Sequence, residues 1–286
     1  MTISFIVLHY QEEELTNECV NSIMNLDTDG NDIKIVIVDN ASPNQSGLSL
    51  KNRYKNDDRV NVIINKCNEG FAKGNNLGYR LAKNNNSDFI LLVNNDVVFY
   101  DKSFIIKLVN EYNIKKFGVI GPDVYVPSEN IHQNPAVGFD CTIKNVNKKI
   151  FRYYVLLVLN FVGICNVLKR LKITHSTVDY LRDQVITPPY ILHGSCLIFS
   201  REYIDRYNGL CEKTYMYFEE NILAYICFKD GVLMRYSPEL KILHYRKGST
   251  KGRLADQRKK NMFFYSNAIK SLRVLKDLIK KGKNCV

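Results

Sequence analysis

The 286 residues contain no C-x-x-C pair. The eight cysteines, Cys19, Cys67, Cys141, Cys165, Cys196, Cys211, Cys227 and Cys285, are scattered, which argues against a zinc site or a disulfide framework. The N-terminus, MTISFIVLHYQEEE, lacks a basic segment and a cleavage-like site. No secretory signal is read there, so the cysteines are expected as thiols in a cytoplasmic setting. Neither P-loop spacing nor G-x-G-x-x-G occurs, which disfavours a Walker-type ATPase and a Rossmann dehydrogenase. There is no internal repeat and no low-complexity segment.

Acidic side chains are missing from residues 141–178, where seven Lys and Arg stand alone, and are scarce at the C-terminus. From Lys241 onward fourteen basic residues face only Asp256 and Asp277, a local charge of +12 in a chain whose total is +11. The body is therefore neutral to acidic and carries a basic insert and a basic tail. That asymmetry points to an anionic partner, either a membrane or a nucleic acid. A nucleic-acid binder would line an aromatic-bearing face with its basic residues. Here they flank an apolar run and an amphipathic helix, so no nucleic acid is expected.

Apolar runs at 3–10, 33–39, 60–65 and 88–99 read as strands, the last interrupted at Asn94, Asn95 and Asp96. Helical spacing over 14–26 and near 102–115 separates them, and a further strand follows at 117–121. This alternation predicts an α/β protein with a mostly parallel central sheet and helices on both faces. The rhythm lapses over 122–189. It resumes with a strand at 190–200, a helix at 201–207, a helix at 218–231, and a strand pair or bent strand at 234–246. The last thirty residues read as a basic amphipathic helix.

Polar groups collect where strands end, the place where open α/β sheets bind ligands. Asp39-Asn40 closes the second strand, and Asn94-Asn95-Asp96 interrupts the fourth. After the third comes NEGFAKGNNLG (68–78), with three glycines, three asparagines and Lys73. Its glycines would let backbone approach a ligand, with a helix beginning after Gly74. Free N–H groups at that helix start would suit an anion such as a phosphate. The alternative is a helix-capping loop without a ligand.

VDNAS, NEGFAKGNNLG and LLVNNDVVF, in this order, resemble family 2 inverting glycosyltransferases of the GT-A fold, in particular the rhamnosyltransferase-like branch. The resemblance covers about residues 1–126 and 188–250. It implies that Asp39 contacts the donor base, while Asn68, Gly70, Lys73 and Asn75 line the nucleotide pocket. Asn94-Asn95-Asp96 stands where the family carries its D-x-D metal motif, and only Asp96 keeps a carboxylate. A divalent ion, Mg²⁺ or Mn²⁺, then needs another ligand, for which His244 in LHYRKGST is the candidate. The alternative for His244 is a satisfied strand-end histidine. Gly248, Ser249 and Thr250 would face the diphosphate. In YMYFEENILAY the catalytic base maps to Glu220, with Glu219 tuning it. Both carboxylates also suit the positive end of a helix dipole. The family usually has Asp at that position, and a further Asp two places on is Ile222 here. HGSC (193–196) falls at a small-residue turn near the acceptor.

These assignments imply a nucleotide-sugar-binding half (1–126), an insert facing membrane or acceptor (127–187), an acceptor and catalytic half (188–250), and the basic tail helix (251–286). The implied reaction transfers a sugar from dTDP-rhamnose or a UDP-sugar to a lipid-linked glycan in surface polysaccharide synthesis. A sugar nucleotidyltransferase is the other enzyme reading. It would carry a glycine-rich loop with Arg and Lys after strand one, where this chain has QEEE. The apolar run Tyr153–Leu168 falls short of the roughly twenty residues that span a bilayer and is expected to be interfacial or re-entrant. The tail helix either lies on an anionic leaflet or packs on its own domain. Either element would hold the enzyme on the inner face of the membrane as a peripheral protein.

Overall fold

The computed structural model describes residues 1–136, 138–139, 142–162, 190–246 and 256–282. Ser249, with Gly248 and Thr250, and residues 163–187 of the expected insert lie outside the described residues. One sheet runs through the molecule. Its strands are β1 (Thr2–His9), β2 (Asp32–Asp39), β3 (Val60–Ile64), β4 (Phe89–Asn94), β5 (Val97–Val98), β6 (Val119–Val126), β7 (Ile131–His132), β8 (Cys196–Ser200) and β9 (Met234–His244). Their order is β3-β2-β1-β4-β8-β6-β9-β5, with β7 on β6. The first four strands are parallel, β8 runs against both β4 and β6, and β9 is parallel to β6. The chain winds outward from β1 to β3 and then returns to place β4 on the other side of β1. That reversal opens a crevice beyond the carboxyl ends of β1 and β4.

Helices α1 (Glu13–Met24), α2 (Ser46–Arg53) and α4 (Phe104–Ile114) cover one face of the sheet. Helices α3 (Gly70–Asn84), α6 (Arg201–Ile204), α7 (Glu219–Lys229) and α8 (Gln257–Lys281) cover the other. Alternation along β1 explains the division: Ile3, Phe5 and Val7 enter the first core, while Ile6 enters the second. Because β1 is covered on both faces, its sequence reads as a continuous apolar run.

The 234–246 segment is one bent strand. Its register against β6 slips between Pro122 and Asp123, whose partners are Ser237 and Lys241. The slip contains Pro238, which has no N–H to give to a ladder.

The glycine-rich stretch departs from expectation. Helix α3 already begins at Gly70 rather than after Gly74. A Cβ on Gly74 would lie 2.8 Å from Leu8 Cδ1, and one on Gly78 would lie 2.4 Å from Ile6 Cγ2. These two glycines serve close packing of α3 on the sheet.

The tail takes the second of its two expected arrangements. Ala268 of α8 is buried and Leu272, Leu275 and Leu278 enter the second core, so this helix packs on its own domain. Helix α5 (Ile143–Phe161) packs alongside it. Asn160 Nδ2 donates to Arg258 O at 3.0 Å, and Asn261 Nδ2 donates to Asn160 Oδ1 at 3.1 Å. Among the described residues, no helix is long and apolar enough to cross a membrane. Cys211 is disulfide-bonded, which corrects the expectation that every cysteine is a thiol; Cys19, Cys67, Cys196 and Cys227 are free. Scattered spacing carries no pairing signal, since bridges join residues by fold rather than by sequence distance.

Candidate active site

Asn40 braces the crevice. Its Nδ2 donates to Asn68 Oδ1 at 3.2 Å and to Gly70 O at 3.0 Å, and its Oδ1 accepts from Glu69 N at 3.1 Å. Asn68 Oδ1 also accepts from Gly70 N and from the Tyr215 hydroxyl, each at 3.1 Å. Phe71 N donates to Tyr215 O at 2.8 Å. The N–H groups of residues 69–71 are thus taken up by protein acceptors. Gly70 has φ +84°, and a Cβ on it would lie 2.0 Å from Tyr215 O. Only glycine fits where the Tyr215 backbone comes so close.

Asp39 closes β2, buried, and accepts from Ser42 N at 3.1 Å and from the Ser42 hydroxyl. Helix α2 passes so near that a Cβ on Gly47 would lie 2.2 Å from Asp39 Oδ2. Lys73 lies 4.0 Å from Glu69 Oε1. Asn75 is buried with its Nδ2 donating to Phe71 O at 3.0 Å, while its Oδ1 has no hydrogen-bond partner.

The fourth strand brings the next group. Asn94 N donates to Ser195 O at 2.9 Å, tying the end of β4 to the start of β8. Asn95 Nδ2 donates to Thr16 Oγ1 at 3.1 Å and so turns toward α1. Pairing of Val97 with His244 places Asp96 beside β9. Asp96 Oδ1 lies 3.3 Å from His244 Nε2, and His244 Nδ1 lies 2.6 Å from Gln133 Oε1. An amide oxygen there calls for a proton on Nδ1, so Nε2 is the ring nitrogen that faces the carboxylate. A shared cation satisfies such a pair, so this donor set fits a divalent ion that takes its other ligands from a diphosphate and water. Among the described residues no group of three or more His, Cys, Asp and Glu side chains converges as a metal site.

His193 sits over this pair, its ring centroid 5.5 Å from that of His244. Its Nδ1 accepts from Ser195 N at 3.1 Å. Burial, reinforced by His244 and Arg246, pushes its pKa down to about 3, so His193 is neutral. Beyond it, the Glu220 carboxylate lies against the Gly194 backbone, which favours its charged form. A Cβ on Gly194 would lie 2.5 Å from Glu220 Oε1. Glu220 is half-buried, and burial raises its pKa. Glu219 is 4 % exposed, and its Oε1 has no hydrogen-bond partner. Burial first, and then the Glu220 charge, push Glu219 up to about 8. Two consecutive left-handed residues, Tyr217 (φ 72°) and Phe218 (φ 67°), aim the start of α7 into the crevice. Such backbone costs about 1 kcal/mol or more per non-glycine residue and persists only where surroundings enforce it. Here Tyr217 packs edge-to-face on Phe264 at 4.7 Å, and Phe218 packs on Tyr153 at 6.0 Å.

The structure thus brings Asp96, His244, Glu219 and Glu220 to one crevice. It places Asp39, Asn68, Gly70, Lys73 and Asn75 along the β2–β3 side and turns Asn95 away. Sequence reasoning missed Gln133 and Asn40. Gln133 lies in the stretch without βα rhythm and carries no motif. Asn40 stands directly after Asp39 and was legible only as a strand-end polar residue.

A family model described as Glycosyl transferase family 2 matches residues 4–175. The chain belongs to glycosyl transferase family 2. Agl10 of Haloferax volcanii, a hexosyltransferase of low-salt glycan biosynthesis, is 23% identical over 231 residues, covering 80% of this chain and 62% of its own length. EpsJ of Bacillus subtilis (strain 168), an uncharacterized glycosyltransferase, is 26% identical over 128 residues, covering 45% of this chain and 35% of its own. The chain therefore spans less than two thirds of either relative. Among solved structures, S. aureus TarS 1–349 superposes with a TM-score of 0.55 at 14% identity, covering 86% of this chain and 60% of TarS. The mannosyltransferase PcManGT of Pyrobaculum calidifontis, in complex with GDP-Man and Mn²⁺, superposes at 0.54 and 14%, covering 99% and 76%. These likenesses show the GT-A fold.

Proposed function

We propose that the chain transfers a sugar, with inversion, from a nucleotide-diphosphate sugar to a lipid-linked or glycan acceptor in surface polysaccharide synthesis. One observation carries the reading. The Glu220 carboxylate packs against Gly194, one residue from His193, whose ring lies 5.5 Å from the ring of His244. A proton acceptor and the Asp96–His244 pair thereby face one crevice at the carboxyl ends of the sheet.

Glu220 takes the proton from the acceptor hydroxyl as that oxygen bonds to the anomeric carbon. The bond from that carbon to the diphosphate breaks on the opposite face, and the diphosphate leaves with the electron pair. Glu219, held protonated by burial, lets Glu220 keep its charge beside it. Neutral His193 accepts from Ser195 N and so fixes the turn on which Gly194 meets Glu220. Asp96 and His244 would hold a divalent ion, Mg²⁺ or Mn²⁺, which would offset charge on the departing diphosphate. Asp39 would receive the donor base, and the α3 start with Asn68, Gly70, Lys73 and Asn75 would flank the nucleotide. Ser249, outside the described residues, is assigned to the diphosphate.

The donor proposed first is dTDP-L-rhamnose, from the resemblance to the rhamnosyltransferase-like branch. A UDP-sugar is the second, since a TarS 1–349 structure holds UDP. The acceptor end implies peripheral attachment to the inner face of the cell membrane. Product release from a panel of nucleotide sugars, with Mg²⁺, with Mn²⁺ and with EDTA, tests the reading. Turnover of one donor that requires the metal is expected. A clear preference for UDP over dTDP in competition binding would overturn rhamnose, and full activity in EDTA would overturn the metal role.

A further inference from the structure

Helix α5 is apolar on two faces, and the described residues cover only one. Val146, Tyr153 and Asn160 turn inward, and Tyr153 packs against Phe264 and Tyr265 of α8. On the opposite side Phe151, Tyr154, Val155, Val158, Phe161 and Val162 stand exposed. Exposure reaches 71 % at Phe151, 59 % at Val158 and 67 % at Phe161. Their spacing of three and four residues lines them up as one stripe. Over eleven residues at 1.5 Å each, the stripe is about 16 Å long.

The charge beside the stripe has one sign. Helix α5 carries Lys144, Lys148, Lys149 and Arg152 and no acidic residue. Lys148 and Arg152 are exposed along one flank. On the other flank Arg273 of α8 reaches across to the Tyr154 hydroxyl, its guanidinium 5.7 Å from the ring centre. An apolar stripe between cationic rows matches a layer with an apolar interior and anionic headgroups.

We propose that this face of α5 docks the protein on an anionic lipid surface, with the helix lying in the plane of the interface. The proposal gives the membrane attachment of the functional reading a specific surface and rests on that reading for its purpose. It also assigns the basic C-terminal helix a different task. The leucines of α8 hold the domain together, and its cations outside that core add to the field around α5. Tyr153 connects the two sides of α5. Its ring contacts Phe218, the residue before Glu219, so the docked helix bears directly on the start of α7.

The test is flotation of the purified full chain with phosphatidylcholine vesicles, with and without phosphatidylglycerol. Binding to the anionic vesicles is expected, weakening with added salt. Val155→Asp/Val158→Asp should abolish it. Lys148→Ala/Arg152→Ala should weaken it on the order of 30-fold, at about 1 kcal/mol per cation. The thermal midpoints of both variants should match wild type, because all four side chains lie off the packed face. Equal vesicle binding by wild type and both variants would overturn the proposal. So would a wild-type dimer in size-exclusion chromatography that Val155→Asp/Val158→Asp dissociates, since a second copy would then own the face. Vesicle binding is read without turnover, so failure of the transferase reading leaves this result standing.

Discussion

Glu219 yields a stability prediction with a definite sign. In the folded protein, burial and the Glu220 charge raise its carboxyl from the ordinary 4.5 to about 8. Between those values the folded state holds a proton that the unfolded chain has released. Stability therefore falls as pH rises through this window, at about 1.4 kcal/mol per pH unit. From about pH 5.5 to about pH 7.5 the loss traceable to Glu219 is about 3 kcal/mol. Glu219→Gln keeps the side-chain shape and removes the titration. The variant should gain about 3 kcal/mol on wild type across that span, a relative rise in melting temperature of about 5 °C or more for a chain of this size. Thermal unfolding of both proteins in matched buffers at three pH values measures it. Parallel melting curves, with a constant gap at every pH, would refute the claim that Glu219 is buried with its proton.

Four further outcomes are expected. Glu220→Gln should retain nucleoside diphosphate binding in calorimetry and lower kcat by about 10² or more; an unchanged kcat would move the base to Glu219. Gln133→Leu removes the acceptor that fixes His244 Nδ1–H, and Mn²⁺ affinity measured by calorimetry should fall by about tenfold to a hundredfold. Gly78→Val drives a side chain into Ile6 and should lower stability by about 1–3 kcal/mol in denaturant titration. Leu272→Ala should lower it by about 2–5 kcal/mol, because Leu272 is buried, whereas a leucine facing a leaflet would show almost no effect in solution.

The first half of the fold was legible because β1, β2 and β4 are buried on both faces. Val7, Ile37 and Leu91 sit in continuous apolar runs, and each run ends abruptly in polar residues. The order of those ends puts Asp39 at the end of β2 and Asp96 just past the end of β4. Helix amphipathicity was legible too, but not what covers each apolar face. The α8 leucines and the α5 stripe read alike in sequence, and only tertiary packing separates a covered face from an open one. The glycines are ambiguous for a related reason. A residue without a side chain signals close approach without naming the neighbour, and at Gly74 and Gly78 the neighbours are Leu8 and Ile6. Gln133 was invisible because its role arises from the pairing of β6 with β7 and β9, which joins residues far apart in the chain.

The site is held by contacts that cross between the two ends of the sequence. Tyr215 receives the Phe71 N–H and donates to Asn68, so the nucleotide side is built partly from the loop that leads into α7. Ser195 accepts from Asn94 N, so the turn bearing Gly194 is fixed to the strand that delivers Asp96. Neither half would keep its geometry alone. The left-handed pair Tyr217 and Phe218 lies between these anchors, braced by Tyr153 and Phe264 from the two packed helices. A force applied along α5 thus reaches the glutamates through one aromatic contact. On this view, Tyr153→Ala should move the Glu220 pH profile of kcat while leaving nucleoside diphosphate affinity unchanged. An unshifted profile would show that α7 is held by its own packing, through Ile222 and Leu223, without help from α5.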